Sequence, residues 1–66
     1  MILSIERVKL AAAEKQMNFT EVLKLAHISP RTAKRIQDGY EVQTKTAGKL
    51  AAVLGVSVAD LLLNKI

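Results

Sequence analysis

The stretch that decides the fold is ISPRTAKRIQDG, residues 28–39. Ser29 is a typical N-cap residue, and Pro30 occupies the first helical position, where its missing N–H and its fixed φ suit the start of a helix. Gly39 is the residue type that most readily adopts the left-handed conformation that ends a helix. These signals predict a short helix over residues 30–38, the best delimited element of the chain.

This helix has two chemically different faces. Ala33 and Ile36 are three residues apart and are its only apolar residues after Pro30, so they must face the core. The opposite face carries Arg31, Lys34, Arg35 and Asp38. A short cationic helix that follows another helix across a tight turn is typical of proteins that set a helix into the major groove of DNA. Arginine suits this task because its planar fork can donate two hydrogen bonds to one guanine.

Two more helices are predicted upstream. Ser4 can cap a first helix that continues to about Gln16, and Asn18 can cap a second. The second helix has apolar residues at helical spacing on one face: Phe19, Val22, Leu23 and Ala26. A short turn at His27 and Ile28 then leads into the helix over residues 30–38.

Two further helices are predicted downstream. One starts near Thr44 and stops at Gly55. The residues Ser57 to Asp60 resemble a capping box and predict a fifth helix that continues through residues 61–63.

The size and composition of the chain agree with a small helical domain. A chain of 66 residues has room for one small domain. Half of the residues are hydrophobic but only 3% are aromatic, so the core must consist of aliphatic side chains, which favours packed helices over a sheet. We predict an all-α, compact five-helix domain over residues 1–66, with a helix-turn-helix at 18–39.

Several classes of function are disfavoured. The chain has no cysteine and a single histidine, His27, so we expect no disulfide, metal or other cofactor. The acidic residues are scattered singly, and neither a glycine-rich phosphate loop nor a catalytic triad is present, so we expect no enzyme. The N-terminal segment turns charged too early for a signal peptide, and no apolar run approaches the roughly 18 residues of a membrane span. We therefore expect a cytoplasmic protein without a membrane partner.

The net charge of +4 favours an anionic partner, and most of the excess lies in one third of the chain. Residues 31–49 contain five basic and two acidic residues, a balance of +3, against five and four elsewhere, a balance of +1. The positive charge is thus concentrated on and after the helix over residues 30–38.

Residues 7–63 resemble the Cro and lambda-repressor type helix-turn-helix proteins, also called the XRE family, of bacterial and phage regulators. The resemblance rests on residues 28–39 and on KLAAVLGVSVADLL, residues 49–62, which is similar to the family's fourth and fifth helices. It implies base contacts at Arg31, Lys34 and Arg35. It implies phosphate contacts at Ser29, Thr32, Thr44, Lys45 and Thr46. Tyr40, just after the third helix, could stack or bond a phosphate, and a structural role in the turn is the alternative.

Four residues depart from the family pattern. Phe19 stands where many relatives have a glutamine that binds a phosphate, and His27 stands where the turn normally has glycine. Leu23 replaces a small alanine, whereas Ala33 replaces a bulky Ile or Val. Because Leu23 and Ala33 face one another in the family's packing, we expect an exchange of volume that keeps the core filled and changes the tilt of the third helix.

The C-terminal apolar residues exceed what one short helix can bury. We expect a homodimer interface formed by Leu61, Leu62, Leu63 and Ile66, to which Leu3 and Leu10 could contribute. Regulators of this resemblance bind as two-fold dimers to half-sites roughly 34 Å apart. The alternative is that the two termini pack on each other.

The leading hypothesis is a sequence-specific, double-stranded DNA-binding transcriptional regulator of a bacterium, phage or mobile element, associated with the nucleoid. We favour a repressor, because so short a chain has little surface to recruit a polymerase, and we expect no small-molecule ligand. The competing hypothesis is a protein-interaction module, such as an antitoxin-like partner or an accessory factor in plasmid or transposon processing. Under the competing hypothesis, the basic face of the helix over residues 30–38 is merely exposed to solvent, or Lys34 pairs with Asp38.

Overall fold

The computed structural model describes residues 1–63, which form four α-helices and one 3₁₀ helix. The helices are α1 (Ile5–Glu14), α2 (Phe19–Leu25), α3 (Pro30–Gln37) and α4 (Thr44–Leu54), followed by the 3₁₀ helix (Val58–Leu61). The predicted all-α fold class is confirmed. The third helix begins at Pro30 as predicted and ends within one residue of the predicted boundary.

Side-chain caps fix the starts of the first three helices. Ser4 Oγ accepts from the Arg7 amide at 3.3 Å, which confirms the predicted cap of α1. Asn18 and Glu21 form a reciprocal capping box, in which the Glu21 amide donates to Asn18 Oδ1 at 2.8 Å and the Asn18 amide donates to Glu21 Oε1 at 3.1 Å. Ser29 Oγ accepts from the Thr32 amide at 3.3 Å. Each cap satisfies an amide that has no partner within its helix.

All four α-helices end in the same left-handed turn. The left-handed residues are Gln16 (φ 58°), His27 (φ 56°), Gly39 (φ 82°) and Gly55 (φ 69°). In each turn the next amide donates to the carbonyl five residues earlier, at 2.9–3.1 Å, which is the Schellman arrangement. The sequence predicted the stops at Gly39 and Gly55, and His27 stands where the family's turn normally has glycine. Gln16 was not expected to adopt the left-handed conformation.

The core is aliphatic, as the composition indicated. Both α1 and α4 pack against α2 and against the 3₁₀ helix. By contrast, α3 contributes little to the core. The structure describes all of this helix, and Ile36 is its one buried residue, while Ala33 is half-buried. The buried apolar residues are Leu3, Val8, Ala11, Ala12, Val22, Leu23, Ala26, Ile36, Val42, Ala47, Leu50, Ala51, Leu54 and Leu61.

The two ends of the described chain pair with each other. Leu3 and Leu62 form an isolated antiparallel bridge. The Ser4 amide donates to the Leu61 carbonyl at 2.7 Å, and the Leu63 amide donates to the Ile2 carbonyl at 3.0 Å. These hydrogen bonds require extended backbone, so the fifth helix stops at Leu61 and does not continue through residues 61–63 as predicted. The alternative in which the termini pack together is the arrangement observed here.

This pairing corrects part of the predicted dimer interface. Leu61 is only 1% exposed and belongs to the core of its own chain, so it offers no side-chain surface to a second copy. Leu62 is half-buried, and Leu63 is 52% exposed. Leu3 is also buried and precedes α1, whereas Leu10 on α1 is 66% exposed. Ile66, the fourth predicted interface residue, lies outside the described residues.

Candidate nucleic-acid interface

The outward face of α3 carries the three predicted base-contacting cations. Ile36 is 1% exposed and fixes the inward side of the helix. Arg31, Lys34 and Arg35 are exposed on the remaining surface. Within residues 1–63, Arg31 makes no hydrogen bond or ion pair, so its guanidinium is available to a ligand. Arg31 is the second residue of α3 and so lies at its N-terminal end, the end of a recognition helix that contacts base edges in helix-turn-helix proteins.

Lys34 forms the ion pair that the competing reading suggested. Lys34 Nζ lies 3.8 Å from Asp38 Oδ2, and the two side chains are 78% and 45% exposed. An exposed pair of this spacing is worth about 0.3–0.5 kcal/mol, which is small compared with the contacts of a bound phosphate or base. The pair is therefore too weak to withhold Lys34 from an anionic ligand.

Arg35 is held by the chain that follows α3. Its guanidinium carbon lies 5.4 Å from the centroid of the Tyr40 ring, within the range of a cation–π contact. Its Nη2 also donates to the Glu41 carbonyl at 3.4 Å. The Tyr40 side chain is thus engaged through the face of its ring, and it is 58% exposed.

Ser29 and Thr32 lie at the start of α3. The Ser29 and Thr32 hydroxyls lie 3.1 Å apart and share one hydrogen bond, and Ser29 Oγ also accepts from the Thr32 amide. Each hydroxyl has a single proton, so while this hydrogen bond is present only one of the two can donate to a phosphate. Ser29 is exposed, and Thr32 is half-buried.

The start of α4 is open to an anion. No side chain caps it at Gln43, and within the described residues the amides of Thr44, Lys45 and Thr46 find no acceptor. Free amides at a helix start, with the positive end of the helix dipole, form a binding site for phosphate. Thr44 and Lys45 are exposed, and Thr46 is half-buried.

A cleft joins this helix start to α3. Thr32 and Arg35 line it from α3, and Gln43 and Thr46 line it from the α4 side, around a volume of about 330 Å³. The structure therefore brings the predicted base-contacting face and the predicted phosphate-contacting residues to neighbouring positions on one surface.

The departures at the crossing of α2 and α3 leave a groove. Leu23 is buried, but Ala33 is only half-buried, and both line a groove of about 410 Å³ together with Phe19. The expected exchange of volume is therefore incomplete, because Leu23 does not fill the space beside the small Ala33. Phe19 itself is half-buried and contacts the core, in agreement with a packing role.

Two other kinds of site have no support in residues 1–63. No group of three or more His, Cys, Asp or Glu side chains there could hold a metal ion. In the same residues, no helix is long and apolar enough to cross a membrane.

The sequence profile of the Cro/C1-type helix-turn-helix DNA-binding domain matches residues 7–63. The chain belongs to this family. Searches of the curated proteins and of the solved structures each found no match. The family match agrees with the observed order of four α-helices and a 3₁₀ helix, and it identifies duplex DNA as the partner. The predicted helix-turn-helix, residues 18–39, lies within the matched residues and includes α2 and α3.

Sequence reasoning missed two features of this surface. One is the open start of α4, where Gln43 precedes the helix but does not cap it. The other is the contact between Arg35 and Tyr40. Its signal was present, because a glycine in the left-handed turn brings the residue after it back against the residue five positions earlier.

Proposed function

We propose that this chain is a sequence-specific transcriptional regulator that reads duplex DNA with α3. The observation that carries the proposal is the surface on which Arg35, one of three exposed cations of α3, lines a cleft together with the uncapped start of α4. Side chains of α3 supply the sequence-dependent contacts, and the amides and side chains at the start of α4 bind the phosphate backbone. The proposed site of action is the nucleoid, where DNA is available.

Arg31 and Arg35 have different parts in this proposal. Arg31 is unengaged within the described chain and adapts freely to a guanine edge. Arg35 is already oriented by Tyr40 and Glu41, so it meets the DNA in a preset direction. Lys34 is a compact charge on a flexible stem and contributes attraction to phosphate and base with less directional preference.

Phosphate contacts are proposed at Thr44, Lys45 and Thr46, and at one of Ser29 and Thr32. Thr44, Lys45 and Thr46 have the free amides described above, and Lys45 adds a mobile positive charge at the same point. Thr32 lines the adjoining cleft. At the start of α3, which Ser29 caps, the hydroxyl of the Ser29 and Thr32 pair whose proton is not shared between them is the proposed phosphate donor.

We further propose that the chain binds as a homodimer and acts as a repressor. Leu63 and Leu10 keep apolar side chains at the surface, which supports an apolar contact between two copies. A two-fold dimer would place two α3 helices in major grooves one turn apart, roughly 34 Å. An occupied operator blocks access by the transcription machinery without any further surface on the regulator.

Selection of bound sites from random duplexes, followed by fluorescence titration of the selected duplex, tests the proposal. Wild-type protein should enrich a palindromic sequence. An Arg31→Ala, Arg35→Ala double variant should lose selectivity, by about 5- to 150-fold for each guanine contact removed. An Arg7→Ala, Lys9→Ala double variant removes the same charge from α1 and should retain the sequence preference.

The outcomes separate the hypotheses. Selective binding by the α3 double variant would contradict the assigned reading face. No enrichment by the wild-type protein would favour the competing protein-interaction module, in which a partner protein covers α3. An enriched but non-palindromic site would support DNA recognition and contradict the two-fold dimer.

A further inference from the structure

The turn after α3 brings an aromatic ring against one of the proposed base-reading arginines. Gly39 adopts φ 82°, and the Tyr40 amide donates to the Arg35 carbonyl at 3.0 Å. In this type of helix end, the side chain after the glycine usually contacts the side chain five positions earlier. That contact is commonly between two apolar residues. Here it joins a tyrosine ring and a guanidinium group.

Two interactions then restrict the Arg35 side chain. Its guanidinium carbon lies 5.4 Å from the Tyr40 ring centroid, and its Nη2 donates to the Glu41 carbonyl at 3.4 Å. The first interaction fixes the guanidinium over the ring, and the second fixes one edge of the group. A guanidinium has five N–H donors, so enough donors remain for two hydrogen bonds to a guanine.

We propose that Tyr40 is a positioning residue that preorients Arg35 for base recognition. The inference rests on the proposed function, because it assumes that Arg35 reads a base. An unrestrained arginine loses rotamer freedom when it binds, whereas Arg35 has lost part of that freedom before DNA arrives. The ring face performs this role, so the phenolic hydroxyl is not required. This assignment replaces the direct phosphate contact predicted for Tyr40 from the sequence.

A graded series of substitutions tests the inference. Tyr40→Phe keeps the ring and removes the hydroxyl, and it should bind the selected duplex as wild type does. Tyr40→Leu keeps an apolar side chain without a ring, and it should weaken binding to the selected duplex by about two- to tenfold. Binding to an unrelated duplex should be unchanged in both variants, because Tyr40 acts only through a base-specific contact.

A measurement without DNA examines the contact itself. The Arg35 Hε resonance of the free protein should lie upfield in wild type and in Tyr40→Phe, owing to the ring current, and should move to its ordinary position in Tyr40→Leu. A residue that merely supports the turn would not produce this pattern. Tyr40 is 58% exposed, so both variants should remain folded, and thermal unfolding of each checks this.

Each outcome has a distinct meaning. Weaker binding by Tyr40→Phe would overturn the inference in favour of a hydroxyl contact to phosphate. Unchanged selectivity in Tyr40→Leu would overturn the inference while leaving the proposed function intact. An Arg35 Hε chemical shift that is the same with and without the ring would do so too. A wild-type protein that selects no duplex would overturn both, and this is seen before any variant is made.

Discussion

His27→Gly should stabilise this domain, although it removes a whole side chain. His27 ends α2 in the left-handed conformation, with φ 56°, and its side chain is exposed. Across residues 1–63 that side chain makes no hydrogen bond or ion pair, so its removal costs no contact of this kind. The backbone hydrogen bonds of the turn, from the His27 amide to Lys24 and from the Ile28 amide to Leu23, need no side chain at residue 27.

The expected gain follows from two opposing effects. A residue with a Cβ atom loses roughly 1–2 kcal/mol in the left-handed conformation, and histidine tolerates it better than most residues. Glycine removes this strain but loses more backbone freedom on folding, roughly 0.5–1 kcal/mol. The net stabilisation should be about 0.5–1 kcal/mol. For a domain of this size it corresponds to a rise of about 2–8 °C in the midpoint of thermal unfolding.

Urea and thermal unfolding of three proteins measure the effect: wild type, His27→Gly and His27→Ala. The alanine variant removes the imidazole but keeps the Cβ atom, so it should be no more stable than wild type. The difference between the glycine and alanine variants measures the backbone strain less the backbone freedom that glycine loses on folding. Equal stability of these two variants would refute the reasoning, because the strain at the Cβ atom would then not exceed that loss.

Two other substitutions give further tests. Gly39→Ala should destabilise the domain by about 0.5–1 kcal/mol in urea unfolding, because the backbone strain exceeds the freedom that glycine loses on folding, and an added Cβ atom meets nothing within 4 Å. An unchanged midpoint would contradict the left-handed turn after α3. Lys45→Ala should weaken binding to selected and unrelated duplexes equally and lower the slope of log affinity against log salt by about one, whereas the matched variant Lys9→Ala on α1 should leave that slope unchanged. A loss confined to the selected duplex would assign Lys45 a base contact.

The boundaries of α3 were predictable because their causes are local. Ser29 and Pro30 specify its start, and Gly39 specifies its end, through atoms within a few residues of each other. The capping box of Asn18 and Glu21 is equally local, although only its first half was inferred from the sequence. Such signals survive in the folded protein because they do not depend on what the helix packs against.

The C-terminal segment was mispredicted because its partner is distant in the sequence. Capping signals at residues 57–60 favoured a helix that continued through the leucines. The backbone of Leu3 competes for the same residues and pairs with Leu62 in extended conformation. No local pattern reveals a contact between positions almost 60 residues apart. Gln16 is a different case, because glutamine carries no signal for the left-handed turn that it adopts.

For the candidate interface, periodicity predicted which side chains share the outer face of α3 but not what each of them contacts. The exposure of Arg31, Lys34 and Arg35 follows from the burial of Ile36 on the other side. The engagement of Arg35 depends on where the chain goes after Gly39. That direction is set by a backbone turn, so a pattern of residue types along one helix does not contain it.

The direction in which α3 lies is determined more by its ends than by its core contacts. Ile36 is its one buried residue, and a groove remains beside Ala33 where a larger side chain would fix the crossing with α2. The left-handed turns at His27 and Gly39 therefore largely determine the orientation of α3. Because the same turn at Gly39 also places Tyr40 against Arg35, a change in backbone conformation there alters both the tilt of α3 and the aim of its arginine. Sequence preference should consequently respond to substitutions in these turns, in addition to the changes in stability predicted above.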